Sequence, residues 1–171
     1  MTIQTRLRAP GLRPESIPRQ RLHRQLEIAT RCPLTVLCAP AGYGKTTALV
    51  QWLESCAVEH AWLSLDPHDN DPRWFGARLL AALELALPGR LADAARFLQG
   101  GSDLEATVIP MAADALAGRR IAIVLDDYHV IADPGCHDVT RTLVDTLPPG
   151  AAVVIASRES PPLRLGRRRA A

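Results

Sequence analysis

The sequence predicts an α/β domain with a mainly parallel sheet, and three observations carry that expectation. Short apolar runs alternate with helical patterns along the chain, as strand–helix–strand units require. A glycine-rich stretch, Ala39-Pro40-Ala41-Gly42-Tyr43-Gly44-Lys45-Thr46-Thr47, separates one such run from the helical pattern after it. Another run, Ile121-Ala122-Ile123-Val124-Leu125, is apolar without a break and ends in Asp126-Asp127. Strands covered on both sheet faces have that character.

Size and composition fit one such domain. The chain has 171 residues, 47% hydrophobic and 22% charged, enough for a single well-filled core. No apolar run approaches the ~18–20 residues of a membrane span, and no apolar segment follows Arg6 and Arg8 as in a secretory leader. These features predict a cytoplasmic chain without membrane contact. Cys32, Cys38, Cys56 and Cys136 lack Cys-x-x-Cys spacing and read as reduced, mostly buried small hydrophobes. Charge is uneven: seven Arg face two Glu in residues 1–31, five Arg face one Glu in 158–171, and eight Lys/Arg face fifteen Asp/Glu between them. Because no aromatic residues interleave the flanking arginines, they read as solvated ends and not as a single-strand nucleic-acid surface.

Taken in order, Pro10, Gly11, Pro14 and Pro18 make residues 1–18 an extended basic arm, and 19–171 the domain. Leu22, Leu26 and Ile28 suggest a short amphipathic helix over 19–29, and 34–38 is the first strand. Ala48, Leu49, Trp52 and Leu53 form a helical stripe within 46–56, and a second strand follows at about 60–65. Asp66, His68, Asp69 and Asp71 invite a metal reading, yet no glycine stands where a calcium loop needs one. Asp71-Pro72 reads instead as a helix cap followed by proline at the first helical position. Residues 73–87 predict a mostly buried helix, stopped by Pro88-Gly89. Residues 90–102 show no clear pattern, and a helix is expected over 104–117. Residues 121–125 are the third strand, Asp133-Pro134 starts a helix running to about 147, and 151–156 is the fourth strand.

The glycine stretch carries the chemistry. Gly42 and Gly44 permit backbone conformations closed to residues with a Cβ, so successive N–H groups can turn inward around an anion. The following helix adds free N–H groups and the positive end of its dipole. These residues match the Walker A pattern G-x-x-x-x-G-K-[ST] except that Ala39 takes the first glycine position. Residues 41–47 (Ala41, Gly42, Tyr43, Gly44, Lys45, Thr46 and Thr47) are therefore the expected phosphate site. Lys45 is the charge for the β- and γ-phosphates, and the Thr46 hydroxyl is a Mg²⁺ ligand. A carboxylate at the carboxyl end of a buried parallel strand sits where such sheets bind ligands, making Asp126 the second Mg²⁺ ligand and Asp127 the group that polarises the attacking water. Arg158, directly after the fourth strand, could reach a γ-phosphate; by spacing alone it reads equally as a surface arginine.

Together with Trp62-Leu63-Ser64-Leu65-Asp66, Asp69-Asn70-Asp71-Pro72 and Leu125-Asp126-Asp127-Tyr128-His129, the glycine stretch makes the chain resemble the nucleotide-binding domain of MalT-like regulators. These are large ATP-binding transcriptional activators of the LuxR type, in the signal-transduction ATPase (STAND) clan. The resemblance runs from about Arg13 to the last residues. It implies a three-layer P-loop NTPase fold, with the fourth strand between the glycine-loop strand and the Asp126 strand and Arg158 as a γ-phosphate sensor. It places Pro18-Arg19-Gln20-Arg21-Leu22 near the adenine and makes ATP versus ADP an on/off switch. Members commonly lack the first loop glycine, and Tyr128 and His129 belong to their motif as structural residues. Members also continue into a last strand, a winged-helix region, helical repeats and a helix-turn-helix. The chain is then a partial domain whose inducer and DNA contacts belong to downstream segments, with ATP-dependent self-association a property of the full-length protein. The Arg167-Arg168-Arg169 end reads as a cut continuation.

The leading functional expectation is an ATP-binding, slowly hydrolysing switch, a weak ATPase using ATP/ADP and Mg²⁺. Two alternatives stay open from the sequence: a small P-loop phosphotransferase, for which no basic lid is visible, and an inactive remnant.

Overall fold

In the computed structural model, which describes residues 6–12, 17, 19–29, 31–56 and 58–163, four strands form the middle layer. They are β1 (Leu34–Cys38), β2 (Glu59–Ser64), β3 (Ile121–Asp126) and β4 (Ala151–Ser157). Their spatial order is β1-β4-β3-β2, and every neighbouring pair is parallel. β4 thus lies between the glycine-loop strand and the Asp126 strand, as the resemblance implied. The register pairs Cys38 with Ser157 and Ser64 with Asp126, so the carboxyl ends of the strands open on one edge of the sheet.

Alternation along the strands builds the layers, because successive side chains point to opposite faces. Ile121, Ile123 and Leu125 face one cluster together with Val153 and Ile155. α3 (Pro72–Ala86), α4 (Ala92–Gln99), α5 (Ile109–Asp114) and α6 (Pro134–Thr146) cover that face. Ala122, Val124, Val154 and Ala156 face the other cluster, covered by α1 (Gln20–Ala29) and α2 (Lys45–Ser55). Every residue of β3 and β4 is buried, as the uninterrupted apolar run 121–125 predicted for β3. The result is a three-layer α/β fold of the P-loop NTPase kind, with an all-parallel sheet of four strands. Among the described residues no helix is long and apolar enough to cross a membrane.

Both predicted Asp-Pro caps are made. Asp71 accepts the Trp74 N–H at 2.8 Å, and Asp133 accepts those of Gly135 at 2.8 Å and Cys136 at 3.3 Å. Several expectations need correction. Residues 90–102 contain α4, whose Ala94 and Leu98 pack inward while Asp93 and Arg96 pair at 2.5 Å on the exposed side. The helix expected over 104–117 is broken: Leu104–Val108 forms a π-helical turn, and α5 begins only at Ile109. Pro110 has no N–H with which to continue an α-helical ladder from that turn. Only Cys136 among the cysteines is buried, whereas Cys32 and Cys38 are exposed. Cys32 lies in the turn before β1 and Cys38 is the last residue of that strand. Burial pushes the Cys136 thiol up to about 12.

Two flanking arginines contact the domain while staying solvent-accessible. Leu7 is buried in the larger core cluster, and Arg6 beside it pairs with Asp66. Arg19 donates to the Tyr43 carbonyl at 2.9 Å. The readings made for residues 1–5, 13–16, Pro18 and 164–171, including the Arg167-Arg168-Arg169 end, lie outside the described residues.

Candidate functional site

The carboxyl ends of β1, β4 and β3 bring three segments together: the glycine loop, the residues after Ser157, and the turn Asp126-Asp127-Tyr128-His129. Ala39 N–H donates to the Ser157 carbonyl at 3.2 Å, holding the start of the loop against β4. Gly42 and Gly44 have φ of 80° and 72°, the left-handed conformations their residue type allows without strain. A Cβ built on Gly42 would meet nothing within 4 Å; the loop is open there. Ala41, Tyr43 and Thr47 are exposed.

Lys45 starts α2, and its ammonium donates to the Ala39 carbonyl at 2.7 Å and the Pro40 carbonyl at 3.1 Å. The charge therefore lies across the loop, where three rotatable donors can exchange neutral carbonyls for an anion. One residue on, the Thr46 hydroxyl donates to the Asp126 carboxylate at 2.9 and 3.2 Å. Asp126 is only 3% exposed. Burial raises its pKa above the ordinary carboxylate value; the Thr46 hydrogen bond opposes the rise and the Asp127 charge adds to it. A buried carboxylate with a hydroxyl and a backbone N–H as its hydrogen-bond partners fits a divalent cation, which offsets the cost of its charge. Thr46 and Asp126 are the residues that could hold such an ion, and the glycine loop with Lys45 those that could hold an anion beside it.

Asp127 has φ of 57°, the left-handed exception among the described non-glycine residues. Aspartate tolerates that region better than most residues, and backbone strain concentrates at functional sites. Its side chain is half exposed and lies 3.9 Å from His129 Nδ1. Burial holds His129 below its ordinary pKa; the nearby Arg158 charge adds to that, and Asp127 opposes it. Arg158 is exposed and follows β4 directly, so the structure gathers Lys45, Thr46, Asp126, Asp127 and Arg158 at one edge.

The Asp66–Asp71 segment is structural. Asp66 caps a short turn through His68 N–H at 2.7 Å. Asp69, fully buried, takes Arg78 at 2.6 and 2.5 Å through its two carboxylate oxygens. Asn70 donates to the Val130 carbonyl at 2.8 Å and accepts from Ala132 N–H at 2.6 Å and Asp133 N–H at 3.1 Å. It ties the loop after β2 to the loop carrying Asp127 and His129. The hydrogen bonds of Asn70 and Arg19 were not foreseen, although both residues lie in segments that carry or follow from the resemblance, and Arg78 was not singled out. Arg78, a charge in the middle of a largely apolar helix, was the available signal.

A cleft of about 660 Å³ lies at the opposite ends of the strands, lined in part by Pro33, Trp52, Arg120, Ile121 and Ala151, and it shares no residue with the site.

Fold and site define the chain as a P-loop-NTPase-like α/β domain. No family model matches it. Over nearly its whole length it is similar to proteins named HTH-type transcriptional regulator MalT. It is 32% identical to that of Cronobacter sakazakii over 99% of the chain, and 34% identical to that of Vibrio cholerae over 95%. The MalT of Klebsiella pneumoniae is 32% identical over 99%. The chain spans only 18–19% of these relatives' own length. Over that span it is MalT-like.

Proposed function

We propose that the chain is an ATP-binding, slowly hydrolysing switch module of a signal-responsive transcription regulator working in the cytoplasm. The observation that carries this reading is the Thr46 hydroxyl on the buried Asp126 carboxylate at 2.9 Å, beside a lysine laid across a glycine loop. In this reading the N–H groups of residues 41–47 bind phosphate oxygens and Lys45 exchanges its two carbonyls for them. Thr46 and Asp126 hold Mg²⁺, which supplies charge neutralisation on the phosphates. Asp127 orients and polarises water, and Arg158 senses the terminal phosphate. Arg19, already on the Tyr43 carbonyl, supports placing the segment before α1 beside the nucleotide.

The regulator half of the reading rests on the relatives, which are transcriptional regulators by name. Recognition of DNA and of an inducer is assigned to other domains of such a regulator, and ATP-dependent self-association to the whole protein. Phosphate release from the purified chain with Mg-ATP tests the switch. Slow turnover with retained nucleotide is expected. Fast turnover only with an added phosphate acceptor would overturn it in favour of a phosphotransferase.

A further inference from the structure

His129 lies beside the site, two residues after Asp127. Its side chain is 14% exposed, and its Nδ1 is buried without a hydrogen-bond partner among the described residues. The nearby Asp127 carboxylate oxygen stands at 3.9 Å, beyond hydrogen-bonding distance. Both side chains flank Tyr128, which is buried and anchored at 3.0 Å to both His137 and Thr140. The turn holding them is therefore firm. The left-handed backbone of Asp127 is the local distortion in that turn. A buried ring nitrogen without a partner is costly, and hydrogen bonds within reaction sites are often long until the ligand arrives.

We propose that His129 is a positioning residue of this site, whose Nδ1–H closes onto the Asp127 carboxylate when a nucleoside triphosphate's terminal phosphate sits beside Lys45 and Arg158. The inference rests on the nucleotide-switch reading above. The charges around His129 make the contact responsive. Arg158 and Lys45 act against a cationic ring, while Asp127 and Glu159 act for it. A terminal phosphate bound between the two cations offsets them, which strengthens the attraction between imidazole and carboxylate. A diphosphate leaves Arg158 unmatched and the gap open. The closed pair fixes the carboxylate that orients water, so the ring acts through Asp127 without touching the reacting atoms.

Two replacements separate this from a packing role. Asparagine places an amide nitrogen near the position of Nδ1, and leucine places none there. Phosphate release is measured for wild type, His129→Asn and His129→Leu, alongside Mg-ATP affinity and thermal unfolding. Turnover is expected to fall at least about tenfold in His129→Leu and to stay within about threefold of wild type in His129→Asn, with affinity unchanged in both. Nitrogen NMR of the ring gives a readout independent of turnover: the Nδ1–H form appears with a slowly hydrolysed ATP analogue and Mg²⁺, and not with ADP. Equal turnover of the two variants, or a ring signal indifferent to nucleotide, overturns the proposal alone. Absence of any nucleotide binding by the wild-type chain overturns the switch reading and this inference with it.

Discussion

The Thr46 hydroxyl donates to the Asp126 carboxylate at 2.9 Å, joining the first turn of α2 to the end of β3 across 80 positions of sequence. The pair sits at the seam of two elements that must be in register before a cation and an anion can share the site. Burial raises the Asp126 pKa, so its charged form is disfavoured in the folded chain.

Asp126→Asn is therefore expected to raise the melting temperature of the nucleotide-free chain at neutral pH, by a few degrees. In the same variant Mg²⁺ no longer tightens ATP binding. Calorimetry on apo and nucleotide-bound protein checks both; a lower apo melting temperature with intact Mg²⁺ dependence would contradict the assignment.

Arg78→Met removes the guanidinium that pairs with the Asp69 carboxylate in a fully buried position. Breaking one side of a buried pair costs roughly 3–5 kcal/mol, so a fall of roughly 10 °C in melting temperature is expected. Urea unfolding measures the loss, and a change under about 1 kcal/mol would show the pair to be dispensable.

The alternation of strands and helices, the parallel sheet and both Asp-Pro caps could be read because each follows from a local pattern: a period of two or of 3.6, or a capping side chain beside its target. Strand order could not; no residue of β4 announces that it inserts between β1 and β3, and only resemblance supplied that. Gly42, Gly44, Lys45, Thr46 and Asp126 were legible as types in context. Arg19 on the Tyr43 carbonyl and Asn70 on the loop after β3 were not, since hydrogen bonds of loop side chains to distant backbone leave no periodic trace. α4 was missed because its inward-facing residues, Ala94 and Leu98, are too few to set a period.

Gly44→Ala places a Cβ at φ 72° and 3.4 Å from the Arg19 guanidinium. A loss of about 1–2 kcal/mol is expected, together with weaker nucleotide binding. Gly11→Ala, whose Cβ would meet nothing within 4 Å, is expected to change neither. Equal effects from the two substitutions would refute a special backbone requirement at Gly44.

His129 and His137 are both held below the ordinary value of 6.5, chiefly by burial. Protons then bind the unfolded chain more readily, so their contribution is full above about pH 6.5 and declines as pH falls below it. Asp126, raised, works in the opposite direction at more acidic pH. Denaturant unfolding is expected to show lower stability at pH 5.5 than at pH 7.5; the reverse order would contradict the burial of these rings.

The most direct measurement is calorimetric titration of ATP into the purified chain and into Lys45→Ala, each with and without Mg²⁺. The account predicts saturable binding by the wild-type chain, tightened by Mg²⁺, and about 10–100-fold weaker in Lys45→Ala, the loss expected for hydrogen bonds to a charged group. Equal affinities for the two proteins, or binding indifferent to Mg²⁺, would contradict it.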